Sequence, residues 1–400
     1  MMNLSRNVYI LVFAQACFFA CSMAVFTFAG LSGQELASDP AYATLPVSLY
    51  IVSAALATGP LSLLMQRTSR RFGFRLGASF GVFGGLLCVA SLYSGSFVLL
   101  CIATVSMGPF QASAQYYRFA AGESVSKAQA PRAISLILLG GVASAFAVPV
   151  ATGWLNNYFE GYSYLGSFVF VVGAATLVFL PIAFLKPLEA KHGSGETEGT
   201  GEIRTLGQII RTPKFVIAVI NAGLGYAMMS FVMTATPLAM VKAGFPASQG
   251  AYVIQWHVVA MFLPGLVTGN LITRFGVLPI LLAGQALFAG AFVVALSGVE
   301  AWQFTLSLVM LGVGWNFCFV GGTSLLTQVH TDSEKGKVQG VNEIIVFGFS
   351  GVASFGAGVI LQKFGWATVN ETAFAMLGIA VFATVIWGLT DARKQPVPES

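Results

Sequence analysis

Long apolar runs, separated by short polar or Gly/Pro-rich breaks, follow one another along this chain from residue 8 to residue 390. Each run is roughly 20 residues or more, the length an α-helix needs to cross about 30 Å of hydrocarbon at 1.5 Å per residue. The pattern predicts spans over residues 8–30, 46–65, 76–94, 97–118, 133–155 and 164–185. A second set follows over 214–240, 249–272, 278–298, 302–328, 339–361 and 369–390. The fold class expected is therefore all-α integral membrane, with twelve transmembrane helices in two pseudo-symmetric six-helix bundles. Residues 1–185 form the first bundle and 214–400 the second, with a linker over 186–213. Residues 186–202 are rich in Gly, Glu and Thr without apolar periodicity, and read as a flexible cytoplasmic segment. Arg6 before the first run gives it some look of a signal peptide. The run continues past twenty residues and eleven more follow, so it reads as the first span.

Composition sharpens this picture. Only 9% of the chain is charged, against 56% hydrophobic and 13% aromatic, at a mean hydropathy of +0.80. Ordinary soluble chains carry roughly 25% charged residues. These values exclude a soluble enzyme, a disordered chain and a secreted disulfide scaffold. Cys17, Cys21, Cys88, Cys101 and Cys318 all lie inside apolar runs, where cysteine acts as a small hydrophobe. None stands at metal-ligand spacing from His or carboxylate, so no metal and no cofactor are expected.

Charge placement sets orientation. Of twenty Lys and Arg residues, all but Lys242 and Lys363 fall at the termini, in the linker or in even-numbered loops. The positive-inside rule then puts both termini in the cytoplasm, in what reads as a bacterial inner membrane. Basic residues at helix ends make no groove-tracking patch, so nucleic acid is excluded as a partner. The expected partners are the lipid bilayer, a small-molecule solute and a coupling proton, with the chain a monomer.

The two halves echo each other. Ser62-Leu-Leu-Met-Gln66-Arg67-Thr-Ser69-Arg70-Arg71 follows the second span, and Gly269-Asn-Leu-Ile-Thr273-Arg274-Phe-Gly276 follows the eighth. Glu123 and Arg132 stand after the fourth span. Glu334-Lys335-Gly336-Lys337-Val-Gln339-Gly340 stands after the tenth. Such recurrence marks an internal duplication.

These residues resemble the major facilitator superfamily of secondary transporters. Its loop pattern G-x-x-x-D-R-x-G-R-R is matched by Arg67, Arg70 and Arg71, with Gln66 replacing the acid and Ser62 and Ser69 the glycines. Gly269, Arg274 and Gly276 match the second copy, where Thr273 takes the acid's place. The antiporter motif of the fifth span, G-x-x-x-G-P-x-x-G-G, is kept only at Pro149 and Gly153, with Ser144, Val148 and Thr152 at its other fixed places. Thr104 stands about where such antiporters carry an Arg. The resemblance implies a cytoplasmic gate formed by Arg67, Arg70, Arg71, Arg118, Glu123, Arg132, Arg274, Glu334 and Lys337. A lock that lacks the acid at Gln66 has lost its anion. Binding of anionic lipid is the other reading of the loop arginines.

A charge inside hydrocarbon is costly and marks a functional candidate. Two ionisable residues lie at depth, His257 in span eight and Glu343 about one turn into span eleven. Both are candidates for proton coupling. A neutral interhelical histidine and a helix-start acid are their plainer readings. Neutral polar stripes recur at helical spacing: Gln15, Ser22 and Phe26, with Phe19 beside them; Thr104, Gly108, Gln111, Gln115 and Arg118; Asn221, Gly225, Met229 and Thr236. Span ten adds Thr305, Gly312, Asn316, Thr323 and Thr327, with Trp315 adjacent. These are spans one, four, seven and ten, which line the central cavity in the family resembled. Gln15, Ser22, Phe26, Gln111, Gln115, Asn221, Met229, Thr236, Trp315 and Asn316 are thus the candidate solute contacts. Ordinary helix packing is the alternative for each.

The function expected is secondary active transport of a small, mostly neutral organic solute by alternating access, proton-coupled, with export slightly favoured. Uptake of a neutral nutrient or vitamin-like aromatic compound is the alternative, and a non-transporting receptor on a transporter fold is less favoured. No paired acids, Ser/Lys pair or His-rich cluster lies in the spans, so an enzyme is not expected.

Overall fold

The computed structural model describes residues 5–126, 129–159, 161–186, 204–331 and 334–392. Among them every regular element is helical. In lipid this follows from the backbone, because a helix satisfies its own N–H and C=O groups without water. The helices are α1 (Arg6–Leu36), α2 (Leu45–Arg67), α3 (Arg70–Ser94), α4 (Phe97–Ser106), α5 (Gly108–Ala114) and α6 (Tyr117–Glu123). There follow α7 (Ala130–Tyr158), α8 (Leu165–Ile182), a short α9 (Leu206–Ile210), α10 (Pro213–Lys242), α11 (Ala247–Phe262) and α12 (Gly265–Phe275). The series ends with α13 (Val277–Leu296), α14 (Ala301–Thr327) and α15 (Lys335–Ala392). Ten helical stretches among the described residues are long and apolar enough to cross a membrane. One of these, Val338–Thr390, has length for two crossings.

The expected spans map onto these helices, with four local differences. Span four is divided into α4, α5 and α6: Pro109 opens α5, and Gln115–Tyr116 form a tight turn before α6. Span eight divides at Leu263–Pro264, because a proline lacks the N–H that would continue the ladder. Spans eleven and twelve meet directly at Gly365, whose φ of 88° is open to glycine without a Cβ penalty. The linker is the fourth. Residues 187–203 lie outside those described, whereas 204–212 carry α9, opened by a capping box in which Thr205 and Gln208 bond reciprocally.

Ser69 shows how a departure from the family pattern is accommodated. In place of the usual glycine it caps α3, its hydroxyl accepting from the Phe72 amide at 3.1 Å.

Burial sorts the spans. In their most apolar 18-residue windows, α10 is 72% buried, α1 61%, and both the α4–α6 stretch and α14 56%. The α2 and α3 windows stand at 33% and 39%, and the α11–α12 window at 28%. Spans one, four, seven and ten are therefore surrounded by protein, while α2, α3 and α11–α12 turn large apolar side chains such as Leu56, Phe83 and Leu266 outward. Small residues bring the helices together. A Cβ on Gly284 of α13 would lie 2.9 Å from the Gly314 carbonyl of α14, and one on Gly312 of α14 would lie 2.7 Å from the His257 carbonyl of α11.

First-half and second-half helices meet mainly through α2 against α15, α7 against α11 and α1 against α10. Two hydrogen bonds join the halves among the described residues: Ser48 Oγ to the Gly351 carbonyl at 2.6 Å, and Thr44 Oγ1 to the Phe355 carbonyl at 3.1 Å. Both lie toward the end that carries the odd-numbered loops.

Candidate substrate site

A continuous run of aromatic rings crosses the centre of the molecule. Phe110 of α5 meets Phe18 of α1 edge-on at 5.3 Å between centroids, and Phe18 adjoins Phe19 at 5.6 Å. Phe19 then reaches across to Phe262 of α11 at 4.6 Å, and Phe262 adjoins Trp315 of α14 at 6.2 Å. Trp315 and Phe319, one helical turn apart, are stacked at 5.0 Å with planes 9° apart. Tyr226 of α10 closes the run edge-on, 5.4 Å from Trp315 and 5.7 Å from both Phe319 and Phe347. The crossing between halves depends on Gly141 of α7, where a Cβ would come within 2.6 Å of the Phe262 ring and 3.2 Å of Phe19.

Unpaired polar atoms border this run. The Trp315 indole N–H and the Gln111 side-chain carbonyl are buried without a hydrogen-bond partner among the described residues. A buried group in that state carries a penalty of roughly 1–3 kcal/mol. Native proteins keep few of them, and a ligand is one ordinary reason. Gln15 is buried, Gln115 half-buried, and neither side chain makes a hydrogen bond among the described residues. Ser22 accepts from the Tyr50 hydroxyl at 3.4 Å, and Phe26 meets the Tyr50 ring at 5.8 Å.

Two opposite charges complete the site, one from each half. Arg118 of α6 and Glu343 of α15 are half-buried and within electrostatic reach of each other and of Tyr226. They form no ion pair within 4.0 Å. The Arg118 guanidinium lies over the Phe119 ring at 4.9 Å with its Nε buried and unbonded, and Glu343 makes no hydrogen bond among the described residues.

Other expected residues point elsewhere. Asn221 donates to Thr384 Oγ1 at 2.9 Å and accepts from Gln285 Nε2 at 2.9 Å, which ties α10 to α13 and to the last part of α15. Asn316 donates to the Met261 carbonyl at 2.7 Å and accepts from Thr268 at 2.6 Å. Thr236 bonds the Val232 carbonyl of its own helix at 2.7 Å, and Met229 is buried on α10. His257 is fully enclosed. Its Nδ1 faces the Leu308 carbonyl at 2.7 Å, and since a carbonyl only accepts, Nδ1 carries a hydrogen, while Nε2 is buried without a partner among the described residues.

The gate candidates separate into distinct contacts. Arg70 pairs with Glu123 at 2.5 Å, and Arg71 donates to the Ala183 carbonyl at the end of α8. Arg67 and Arg274 are exposed, the latter over the Phe275 ring at 5.2 Å. The side chains of Arg132 and Lys337 lie outside the described residues. Glu334 pairs with Arg204 of the linker at 2.7 Å; Arg204 also donates to the Val329 carbonyl. The Arg204 guanidinium, with the Thr331 amide, holds the Glu334 carboxyl down to about 2.

Sequence reasoning did not single out Tyr226, Phe262, Phe319 or Phe347 for the site, nor Arg204 for the clip. The i, i+4 repeat of Trp315 and Phe319, and of Glu343 and Phe347, was the available signal for the first group. For Arg204 it was the Thr-x-x-Gln box that follows it.

Comparison with known proteins agrees with this architecture. A sequence model of the Major Facilitator Superfamily matches residues 11–265. The chain is 38% identical over 384 residues to the riboflavin transporter RfnT of Brucella anthropi, covering 95% of each protein. It is 27% identical over 400 residues to the uncharacterised transporter YddS of Bacillus subtilis, covering 96% of this chain and 90% of that one. Among solved structures, a bacterial homologue of the human lysosomal transporter Spinster superposes with a TM-score of 0.69 at 14% identity over 98% of each chain. The nucleoside transporter NupG does so with a TM-score of 0.66 at 13% identity, over 98% of this chain and all of that one. At such identities the likeness is one of fold. With the family model spanning well over half its length and a curated transporter aligned almost end to end, this multi-pass membrane protein belongs to the major facilitator superfamily.

Proposed function

We propose that this chain carries riboflavin, or a closely similar planar and uncharged aromatic solute, across the membrane by alternating access. The observation that carries the reading is the aromatic run from Phe110 to Phe347, bordered by the unpaired Trp315 N–H and Gln111 carbonyl. A flat heteroaromatic ring offers stacking faces to the first and donor or acceptor edges to the second. A sugar or a dicarboxylate uses such a wall poorly. The similarity to a riboflavin transporter supports the same solute class.

Gln15, Gln111, Gln115 and Trp315 are assigned to the solute, with Ser22 and Phe26 beside Tyr50. Proton coupling is assigned first to Glu343, whose carboxylate makes no hydrogen bond among the described residues and lies within electrostatic reach of Arg118 on the other half. His257, enclosed between α11 and α14, is the second coupling candidate. The chain acts as a monomer of two six-helix halves, 1–185 and 214–400, with both termini cytoplasmic in a bacterial inner membrane. Arg70–Glu123 and the Arg71 contact serve at the cytoplasmic end of the first half. A secondary carrier runs down whichever gradient is imposed, so the slight preference for export is a statement about that gradient.

The test is counterflow of radiolabelled riboflavin in proteoliposomes containing the purified chain. Exchange driven by internal riboflavin, and inhibited by lumichrome but not by hexoses, is expected. Absence of exchange at every imposed pH gradient overturns the assignment. A pH-gradient dependence that survives both His257→Ala and Glu343→Gln removes the coupling residues while leaving the solute in place.

A further inference from the structure

Arg118 and Glu343, one on each half of the molecule, are two opposite charges within electrostatic reach of each other and of Tyr226 that form no ion pair. Charges taken partly out of water are normally paired, because the desolvation cost is otherwise unreturned. Arg118 leaves its buried Nε without an acceptor, and the Glu343 carboxylate enters no ion pair, among the described residues. The pair therefore presents donors from one side and acceptors from the other.

Its position relative to the aromatic run says what meets it. Phe347 follows Glu343 by one helical turn and touches the Tyr226 ring at 5.7 Å; Tyr226 in turn touches Trp315 and Phe319. Glu343 and Arg118 both lie within electrostatic reach of Tyr226, so the charged groups stand at that end of the run. Gln111 of α5 and Gln115 of the turn that follows it precede Arg118 of α6 along span four.

We propose that Arg118 and Glu343 read an imide-type edge on the ring, a carbonyl beside an N–H. Arg118 donates to the carbonyl oxygen and Glu343 accepts from the N–H. This rests on the solute reading above and adds which edge of the solute is recognised and by what. A guanidinium has donors only and a carboxylate acceptors only, so the pair matches a carbonyl next to an N–H and nothing of like polarity on both atoms. The contact is neutral overall when both groups are charged, which suits an uncharged ring. It also spans the two halves, so binding draws them together at the end opposite the Ser48–Gly351 and Thr44–Phe355 bonds.

The test compares riboflavin with its N3-methyl derivative, which keeps the ring, the side chain and both carbonyls but lacks the imide hydrogen. Affinities are read from quenching of flavin fluorescence by the purified full-length chain in nanodiscs. Wild type is expected to bind the methylated ligand more weakly by on the order of tenfold to a hundredfold, the worth of a hydrogen bond to a charged group. Glu343→Ala is expected to weaken riboflavin and to bring the two ligands to within about twofold of each other. Glu343→Gln, which keeps a neutral acceptor, is expected to retain part of the discrimination. Equal binding of the two ligands by wild type overturns the proposal without recourse to any variant. Full discrimination persisting in Glu343→Ala also overturns it. Failure of wild type to bind either riboflavin or lumichrome overturns the solute reading itself, and this proposal with it.

Discussion

Replacing Asn221 by alanine separates two roles that a polar residue can have inside a membrane protein. In the structure its amide is spent on neighbouring helices, with bonds of 2.9 Å to Thr384 and from Gln285, and the side chain is 1% exposed. The substitution removes both interhelical bonds. In membranes such bonds contribute about 0.6 kcal/mol on average and up to about 1.7 kcal/mol. Gln285 Nε2 also reaches Thr384 Oγ1 at 2.9 Å, so those two partners keep one bond with each other and escape the full penalty of isolation. Adding the small void left by the amide, we expect a loss of about 1–3 kcal/mol in stability.

The assay has two readouts on the same purified protein. Equilibrium unfolding in mixed micelles reports the stability change, and flavin fluorescence reports affinity in the folded fraction. Asn221→Ala should destabilise by the amount above and leave riboflavin affinity within about twofold. In a cycle with Gln285→Leu the two effects should be non-additive by about 0.5 kcal/mol or more, as residues of one network are. Stability unchanged within about 0.3 kcal/mol, together with an affinity loss beyond tenfold, would refute the packing account. Asn221 would then belong to the solute.

Two further outcomes follow from the same geometry. At Gly141→Ala the new methyl meets Phe262 and Phe19 at the crossing of the halves, and a gain in helix propensity of about 1 kcal/mol is set against overpacking of about 1–3 kcal/mol; stability should fall by no more than about 2 kcal/mol, whereas riboflavin affinity should fall by roughly tenfold. At the Arg204–Glu334 clip, the folded carboxyl titrates at about 2 against an ordinary value near 4.3, so the contribution is complete above that ordinary value and is lost as pH falls toward 2. The melting-temperature difference between wild type and Arg204→Ala should therefore stay constant from pH 8 to about pH 5 and shrink below about pH 4; a difference that grows on acidification contradicts the assignment.

The spans were legible because lipid leaves the chain few options. A run of about 20 apolar residues in hydrocarbon must be a helix, since it has to satisfy its own backbone there. Side-chain roles were harder. In hydrocarbon a polar residue must face either a cavity or a neighbouring helix, and the sequence gives the same periodicity in both cases. Asn221 and Gln111 both sit on polar stripes, yet one amide is fully bonded to α13 and α15 while the other keeps a buried carbonyl unpaired. Gly312 of the span-ten stripe lets α11 approach, and Asn316 bonds to it; Trp315, the neighbour one position away, faces Phe262 and Tyr226 instead. A shift of one residue turns a helix by about 100°, so an aromatic beside a polar stripe stands well to the side of the face the stripe covers.

That division of labour bears on how an uncharged solute works such a carrier. A ligand shifts a conformational equilibrium only through contacts that differ between the states. A charged solute does this by recruiting counter-charges. For a neutral ring the differential contact must come from surfaces contributed by both halves. The Phe19–Phe262 contact makes the aromatic wall such a surface, since its rings come from α1 and α5 on one side and from α10, α11, α14 and α15 on the other. A ring laid on that wall touches both halves, and any state that separates them loses part of its stacking area. The scarcity of charge in this chain then matches the uncharged solute proposed for it, for which the energy that biases the cycle would be drawn from aromatic area and a few unpaired polar atoms.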